Sequence, residues 1–213
     1  MLPPPPPPPP SETPIESLTT TNISSNVKSH TKSNGNTIAN AITPLNKGLK
    51  EDNNDHCFFF YEIGACRYNS KCIKKHIRPT RSNCIVLLNL IDLKLNTEVT
   101  NYAFDSIYQD IFLEAMKFGK ILSLEISVNE NDCLNGNVYI KYLNDSIARD
   151  AMNNFNTRWY DERPIYCDLV NYNEGTCRRY DNGNCARGPE CTLLHRRWPS
   201  SRLKWDLESS QKD

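Results

Sequence analysis

A chain of 213 residues in which 25 lysines and arginines meet 25 aspartates and glutamates has no formal net charge, so it is neither a uniformly basic polyanion binder nor an acidic tail. Its length allows one or two compact domains, and no apolar run reaches the roughly eighteen residues of a membrane span. Nine cysteines without the basic start and apolar centre of a signal peptide point to a reducing compartment, cytosol or nucleus, rather than to a disulfide scaffold.

Residues 1–56 read as a disordered extension rich in Pro, Ser, Thr and Asn, too poor in apolar side chains to offset ordering entropy. Pro3 to Pro10 predict a polyproline II rod, either a plain spacer or a ligand for an SH3- or WW-type domain.

Residues 57–80 carry Cys57, Cys66, Cys72 and His76 in the spacing Cys-x8-Cys-x5-Cys-x3-His. Residues 173–198 repeat the pattern with Cys177, Cys185, Cys191 and His195, spaced Cys-x7-Cys-x5-Cys-x3-His. Three thiolates and one imidazole make a closed tetrahedral site for a structural zinc, and the x3 gap puts the last two ligands on one side of a helical turn. The repetition argues for two CCCH zinc fingers, hence two zinc ions.

Between them, residues 81–172 alternate strand and helix. Cys84–Leu90 is a short apolar strand. Phe104–Phe118 has the face of an amphipathic helix, ended by Gly119. Ile121–Val128 and Gly136–Leu143 alternate as strands. Asp145 is expected to cap a helix through Phe155, and Pro164–Val170 closes the unit. The order βαββαβ predicts an α+β, ferredoxin-like fold of the RNA-recognition-motif (RRM) type. After the second finger, residues 199–213 hold a short helix and tail, with Leu203 and Trp205 expected to pack onto the domain.

Charge is segregated along this frame. Residues 57–81 carry six Lys/Arg against Glu62 alone, residues 177–205 carry seven against Asp181 and Glu190, and residues 82–176 hold seven bases against fourteen acids. Counting a zinc with three thiolates, each finger keeps about +4. The fingers face a polyanion, unless these charges are only solvated faces. Candidate RNA contacts are the aromatics Phe59, Tyr61 and Tyr68 in the first finger, Tyr180 and Trp198 in the second, and the cations Arg67, Lys71, Lys74, Arg178 and Arg187. Some of these rings must instead cover metal.

The central sheet is a poor RNA platform. Where an RRM expects a basic residue and stacking aromatics, Asn135-Gly136-Asn137-Val138-Tyr139-Ile140-Lys141-Tyr142 begins with Asn and substitutes Asn137 for the first ring; Val86 occupies the aromatic position of the first strand. Only Tyr139 remains as a platform, and each missing stack removes ~1–3 kcal/mol. The turn Asn156-Thr157-Arg158-Trp159-Tyr160 instead places two rings beside a guanidinium, the composition of an interface hot spot, if the rings do not merely cap the core. Asp105, Asp110 and Glu114 on the first helix are acids available to a basic partner peptide.

In Ile63-Gly64-Ala65-Cys66-Arg67, Gly136-Asn137-Val138-Tyr139-Ile140-Lys141 and Arg158-Trp159-Tyr160, and in its order of finger, motif, finger and helix, the chain resembles the small subunit of the U2 auxiliary factor (U2AF) over roughly residues 57–208. The resemblance implies a pre-mRNA splicing subunit in the nucleus, a heterodimer in which a U2AF homology motif binds the large subunit while both fingers contact the AG of single-stranded pre-mRNA at the 3′ splice site. It also implies that Arg158 and Tyr160 stand in an Arg-x-Phe loop gripping a partner tryptophan, with Trp159 inserted reciprocally. Ile73 falls where relatives often carry serine near RNA, Tyr160 replaces phenylalanine, and the Arg/Ser-rich tail of larger relatives has no counterpart. One rival reading is a general CCCH regulator of mRNA processing or decay without the large subunit. A zinc-dependent nuclease is disfavoured because four protein ligands leave no open metal position. No membrane, no small-molecule substrate and no enzymatic activity are expected.

Overall fold

The computed structural model describes residues 55–93, 100–173 and 175–211. The proline rod and all but the last two residues of the extension expected over 1–56 lie outside the described residues.

The central unit is built as its apolar periodicity demands. Strand β1 (Cys84–Leu87) is buried along its whole length. Helix α2 (Asn101–Ala115) begins three residues earlier than the apolar pattern suggests, because the Thr100 side chain accepts from the Ala103 amide and caps it. A tight turn over Met116–Phe118 follows before Gly119. Strands β2 (Ile121–Ser127) and β3 (Val138–Tyr142) lead into helix α3 (Asp145–Phe155). Its cap is Asn144, whose Oδ1 accepts from Ile147 N at 3.0 Å, not Asp145, whose carboxylate is engaged by Arg81.

Two-residue strands β4 (Trp159–Tyr160) and β5 (Arg163–Pro164) form their own hairpin, turned by Asp161 and Glu162 with positive φ. The final strand β6 is therefore only Cys167–Leu169, shorter than the expected 164–170, because its start is drawn into that hairpin.

Every ladder in the main sheet is antiparallel, in the order β6-β1-β3-β2-β7. The first four strands and two helices complete the βαββαβ unit. The fifth, β7 (Arg196–Arg197), comes from the second finger and pairs with Ile126 and Ser127 at the β2 edge.

The two sheet faces carry separate cores. Ile85, Leu87, Leu124, Ile126, Val138, Ile140 and Tyr142 pack against α2 and α3. The C-terminal helix α5 (Ser201–Ser210) joins this side through Leu207, with Leu203 partly buried; Trp205, expected to pack, is 67% exposed because it projects from the opposite side of the helix. On the other face Cys84, Val86 and Tyr139 pack with Ile63 and Ala65 of the first finger, Leu194 of the second, Leu134 of the β2–β3 loop and Val170 just after β6.

Candidate metal centres and nucleic-acid interface

The two fingers repeat one backbone device. A short helix follows the first cysteine in each, α1 (Phe58–Ile63) and α4 (Arg178–Asp181). In the first, Cys57 N donates to Lys75 O at 2.9 Å; in the second, Cys177 N donates to Leu194 O at 2.9 Å. Each acceptor is the residue just before the histidine, so the first and fourth ligands are brought together by a main-chain bridge. The ligand atoms of Cys57, Cys66, Cys72 and His76, and those of Cys177, Cys185, Cys191 and His195, lie within 4.8 Å of one another in each group.

Chemistry and geometry both fit a tetrahedral ion. Cys191 Sγ and Cys177 Sγ are 3.8 Å apart, the edge expected of a tetrahedron with ~2.3 Å zinc–sulfur bonds. Nε2 of both His76 and His195 is buried with no hydrogen-bond partner; a buried imidazole nitrogen beside three thiols has the chemistry of a fourth metal ligand.

A ring three residues after the first cysteine covers each imidazole. Phe60 stacks on His76 with centroids 4.2 Å apart, and Tyr180 on His195 at 4.0 Å. Tyr180 thus shields the metal centre with one face. Phe60 was not among the candidate residues, although the shared Cys-x2-aromatic spacing of the two fingers was the signal for it. The guanidinium of Arg78 lies 4.0 Å over the Phe60 ring, donates to Gly64 O at 2.9 Å and pairs with Asp168 at 3.0 Å. Gly64, with φ of 72°, ends α1; a Cβ there would lie 2.8 Å from both Arg78 Nη1 and Val170 Cγ1, so only glycine lets the first finger settle this close to the sheet.

Tyr139, the remaining sheet platform expected from sequence, is not available for stacking. It is 1% exposed, its hydroxyl donates to Ile63 O at 2.8 Å, and the Tyr172 ring lies on it at 4.8 Å. Tyr172 in turn donates to Glu125, and Arg196 joins Glu125 at 3.5 Å and Asp181. Burial and the adjacent Glu125 carboxylate push the Tyr172 phenol far up, so it stays a neutral donor. Loop residues of the central domain hold the second finger's ligand segment directly: Asn129 Oδ1 accepts from His195 N at 2.8 Å, and Asn131 Nδ2 donates to Cys191 O at 2.8 Å.

Because both fingers dock on one face of the sheet, a groove of about 840 Å³ opens between them, lined by Phe60, Gly64, Arg67, Arg78, Leu88, Cys133 and Glu190 among others. The candidate contacts distribute unevenly around it. Arg67 lines the groove with its guanidinium 5.6 Å over the 60%-exposed Tyr68 ring. Lys71, Lys74 and the 98%-exposed Ile73 stand on the outer surface of the first finger. Arg178 and Arg187, joined by Arg179, line a separate cleft of about 440 Å³ on the second finger. Phe59 is instead partly buried against the finger-side core, and Tyr61 is half-buried. Trp198 lies between the Arg196 and Lys204 cations, at 5.3 and 4.2 Å.

The turn that carries Arg158, Trp159 and Tyr160 sits on the helical side of the sheet. Asp110, Glu114, Arg158, Trp159 and Tyr160 meet around one pocket of about 190 Å³, floored by Leu87, Leu90, Ile111, Phe155 and Ile165. Trp159 is half exposed, Tyr160 is half buried, and Arg158 is paired with Glu114. Hydrogen bonds from Arg158, then from Lys117, hold the Glu114 carboxyl below its ordinary range. Asp105 does not join this pocket; it accepts from Ser200 N at 2.9 Å, at the start of α5.

No family model matches the chain. It is 33% identical over 173 residues to the splicing factor U2AF 23 kDa subunit of Schizosaccharomyces pombe, covering 76% of this chain and 80% of that protein. It is 32% identical to the splicing factor U2af 38 kDa subunit of Drosophila melanogaster, covering 74% and 67%. With the splicing factor U2AF 26 kDa subunit of Bos taurus it shares 33% identity, covering 71% and 77%. Among solved structures, the RRM of RNA15 aligns with 14% identity and a TM-score of 0.31, covering 42% of this chain and 91% of that one.

Proposed function

Since this chain belongs to the U2AF small-subunit family, we propose that it is a nuclear pre-mRNA splicing subunit whose two zinc-loaded fingers together hold the AG of a 3′ splice site, while its central domain grips the U2AF large subunit. The observation that carries this reading is the opposition of two sites across one sheet. One face is closed by the fingers and leaves a groove between them, and the other carries the Arg158–Trp159–Tyr160 pocket.

Zinc supplies folding energy to fingers that have almost no core of their own. Held by Cys57, Cys66, Cys72 and His76 in one finger and by Cys177, Cys185, Cys191 and His195 in the other, it fixes the backbone that lines the groove. Phosphates are met by the outward cations Lys71, Lys74, Arg178 and Arg187, and bases by exposed rings such as Tyr68, with Ile73 beside them. The pocket accepts a large ring of a basic partner peptide among Leu90, Ile111 and Phe155, flanked by Asp110 and Glu114.

The test compares binding of UAG-containing RNA with an AG-disrupted control, with and without the large subunit. Equal affinity for the two RNAs in the heterodimer refutes the splice-site assignment.

A further inference from the structure

Arg67 of the first finger and Glu190 of the second meet at the groove. Arg67 Nη2 pairs with the Glu190 carboxylate, and Nη1 donates to the Glu190 carbonyl oxygen at 3.3 Å. The two residues are 123 positions apart, yet each is the immediate neighbour of a metal ligand, Cys66 and Cys191. A side chain placed by one metal centre is thus fastened to a residue placed by the other.

The second guanidinium of the groove is also engaged, since Arg78 is held by Gly64 O, Asp168 and the Phe60 ring. Both arginines of the groove are thus already engaged by groups of the protein itself. The second finger's cleft differs: Arg178, Arg179 and Arg187 make no ion pair among the described residues.

We propose that Glu190 is a specificity-determining residue, an internal competitor for Arg67 that keeps the cation of the groove neutralised until an RNA strand displaces the carboxylate. This rests on the reading of the groove as the RNA seat. A phosphate reaching Arg67 must break the existing pair and then sit beside Glu190. Strands anchored on both fingers supply that displacement from their other contacts, whereas a polyanion touching one finger does not. Glu190 therefore lowers affinity for phosphate as such and sharpens the demand for a ligand that spans both fingers. Both side chains are substantially solvated, at 36% and 69% exposure, so the pair is modest and its removal leaves the fold intact.

The experiment uses the full zinc-loaded chain, with UAG RNA and poly(U) as probes, between roughly 50 and 200 mM salt. Wild type is compared with Glu190→Gln, Arg67→Gln and the double variant. Glu190→Gln is expected to bind poly(U) about two- to fivefold tighter at low salt and UAG RNA by less, so that the preference for UAG RNA narrows. On poly(U) the slope of log affinity against log salt should steepen by up to about 0.7, the value of one more phosphate contact on a single strand. In the Arg67→Gln background the gain should vanish.

Unchanged or weaker binding of poly(U) by Glu190→Gln overturns the proposal, weaker binding marking Glu190 as an acceptor for a base instead, and so does an equal gain on both probes, which leaves specificity where it was. A gain that persists without Arg67 overturns it too, since any lost negative charge would then suffice. Loss of AG preference with the gain on poly(U) intact refutes the splice-site reading and spares the competitor. A chain that binds neither probe overturns both.

Discussion

The hydroxyl of Tyr139 donates to the carbonyl oxygen of Ile63 at 2.8 Å, joining strand β3 to the last residue of the first finger's helix. In a sheet that reads RNA this strand position would offer its ring to a base. Here the ring is roofed by Tyr172, and both hydrogen-bonded residues are 1% exposed. The surface that an RRM uses for nucleic acid has become the seat of the fingers.

Tyr139→Phe keeps the ring and leaves the buried Ile63 carbonyl without its donor. The expected cost is ~1–2 kcal/mol, read as a Tm fall of roughly 2–8 °C for a chain of this size. Binding of a tryptophan-containing peptide to the helical side should be unchanged. A melt identical to wild type would show that the finger does not depend on this bond.

Removing metal should reach beyond the fingers. A chelator is expected to abolish RNA binding and also to lower the melting temperature of the central domain, because Val86 and Tyr139 lose their cover and β2 loses its neighbour β7. The α2/α3 side keeps its own core, so circular dichroism should retain the central helices. Zinc should restore the starting melt. A central transition indifferent to chelator contradicts the shared-core account.

Phe60→Ala and Tyr180→Ala each strip the ring from a ligand imidazole. Partners that orient a metal-bound histidine typically contribute 10- to 100-fold to metal affinity, and a lost stack is expected to raise zinc dissociation by roughly 10-fold. Release into a chromogenic chelator measures it. Phe59→Ala, whose ring packs on the sheet side rather than on the histidine, should leave the release rate near wild type.

In the pocket, Arg158→Ala and Trp159→Ala are expected to weaken a tryptophan-containing, basic peptide of the large subunit by at least about 10-fold, with RNA binding by the isolated chain preserved. Loss of both activities together would place the anchor in the core rather than at an interface.

The Arg158–Glu114 pair carries a pH signature. Glu114 has a carboxyl pKa lowered from the ordinary value of 4.5 by Arg158 and Lys117. Its contribution is therefore fully present above that ordinary value and lost as pH falls through the lowered one. Between pH 6 and 8 peptide affinity should show no dependence on this group. The Glu114 carboxyl carbon should titrate below 4.5 in wild type, and closer to it in Arg158→Ala; equal midpoints would mean that the pair does not persist in solution.

Much of the organisation was legible because it depends on local periodicity and ligand spacing. Both metal groups, the βαββαβ order and the grouping of Arg158, Trp159 and Tyr160 in one turn follow from residues close together in the chain. The details that local pattern leaves unspecified share a cause. Asn144 rather than Asp145 caps α3 because Arg81, 64 residues away, claims the aspartate. Asp105 serves α5 rather than the pocket because α5 packs beside α2. Trp205 and Leu207 differ in burial through the rotation of one helix, which apolarity alone does not specify.

By itself the sequence determined which side chains can bind metal, where charge is concentrated, and that the central sheet lacks stacking rings, since these depend on residue identity and short spacing. Only the tertiary structure decided what that sheet face is for. The contacts that answer it, Tyr139 to Ile63, Asn131 to Cys191 and Arg67 to Glu190, span 60 to 123 residues. Their geometry exists only once both fingers have been folded onto one face, where buried apolar area and, for the second finger, the pairing of β7 with β2 hold them side by side.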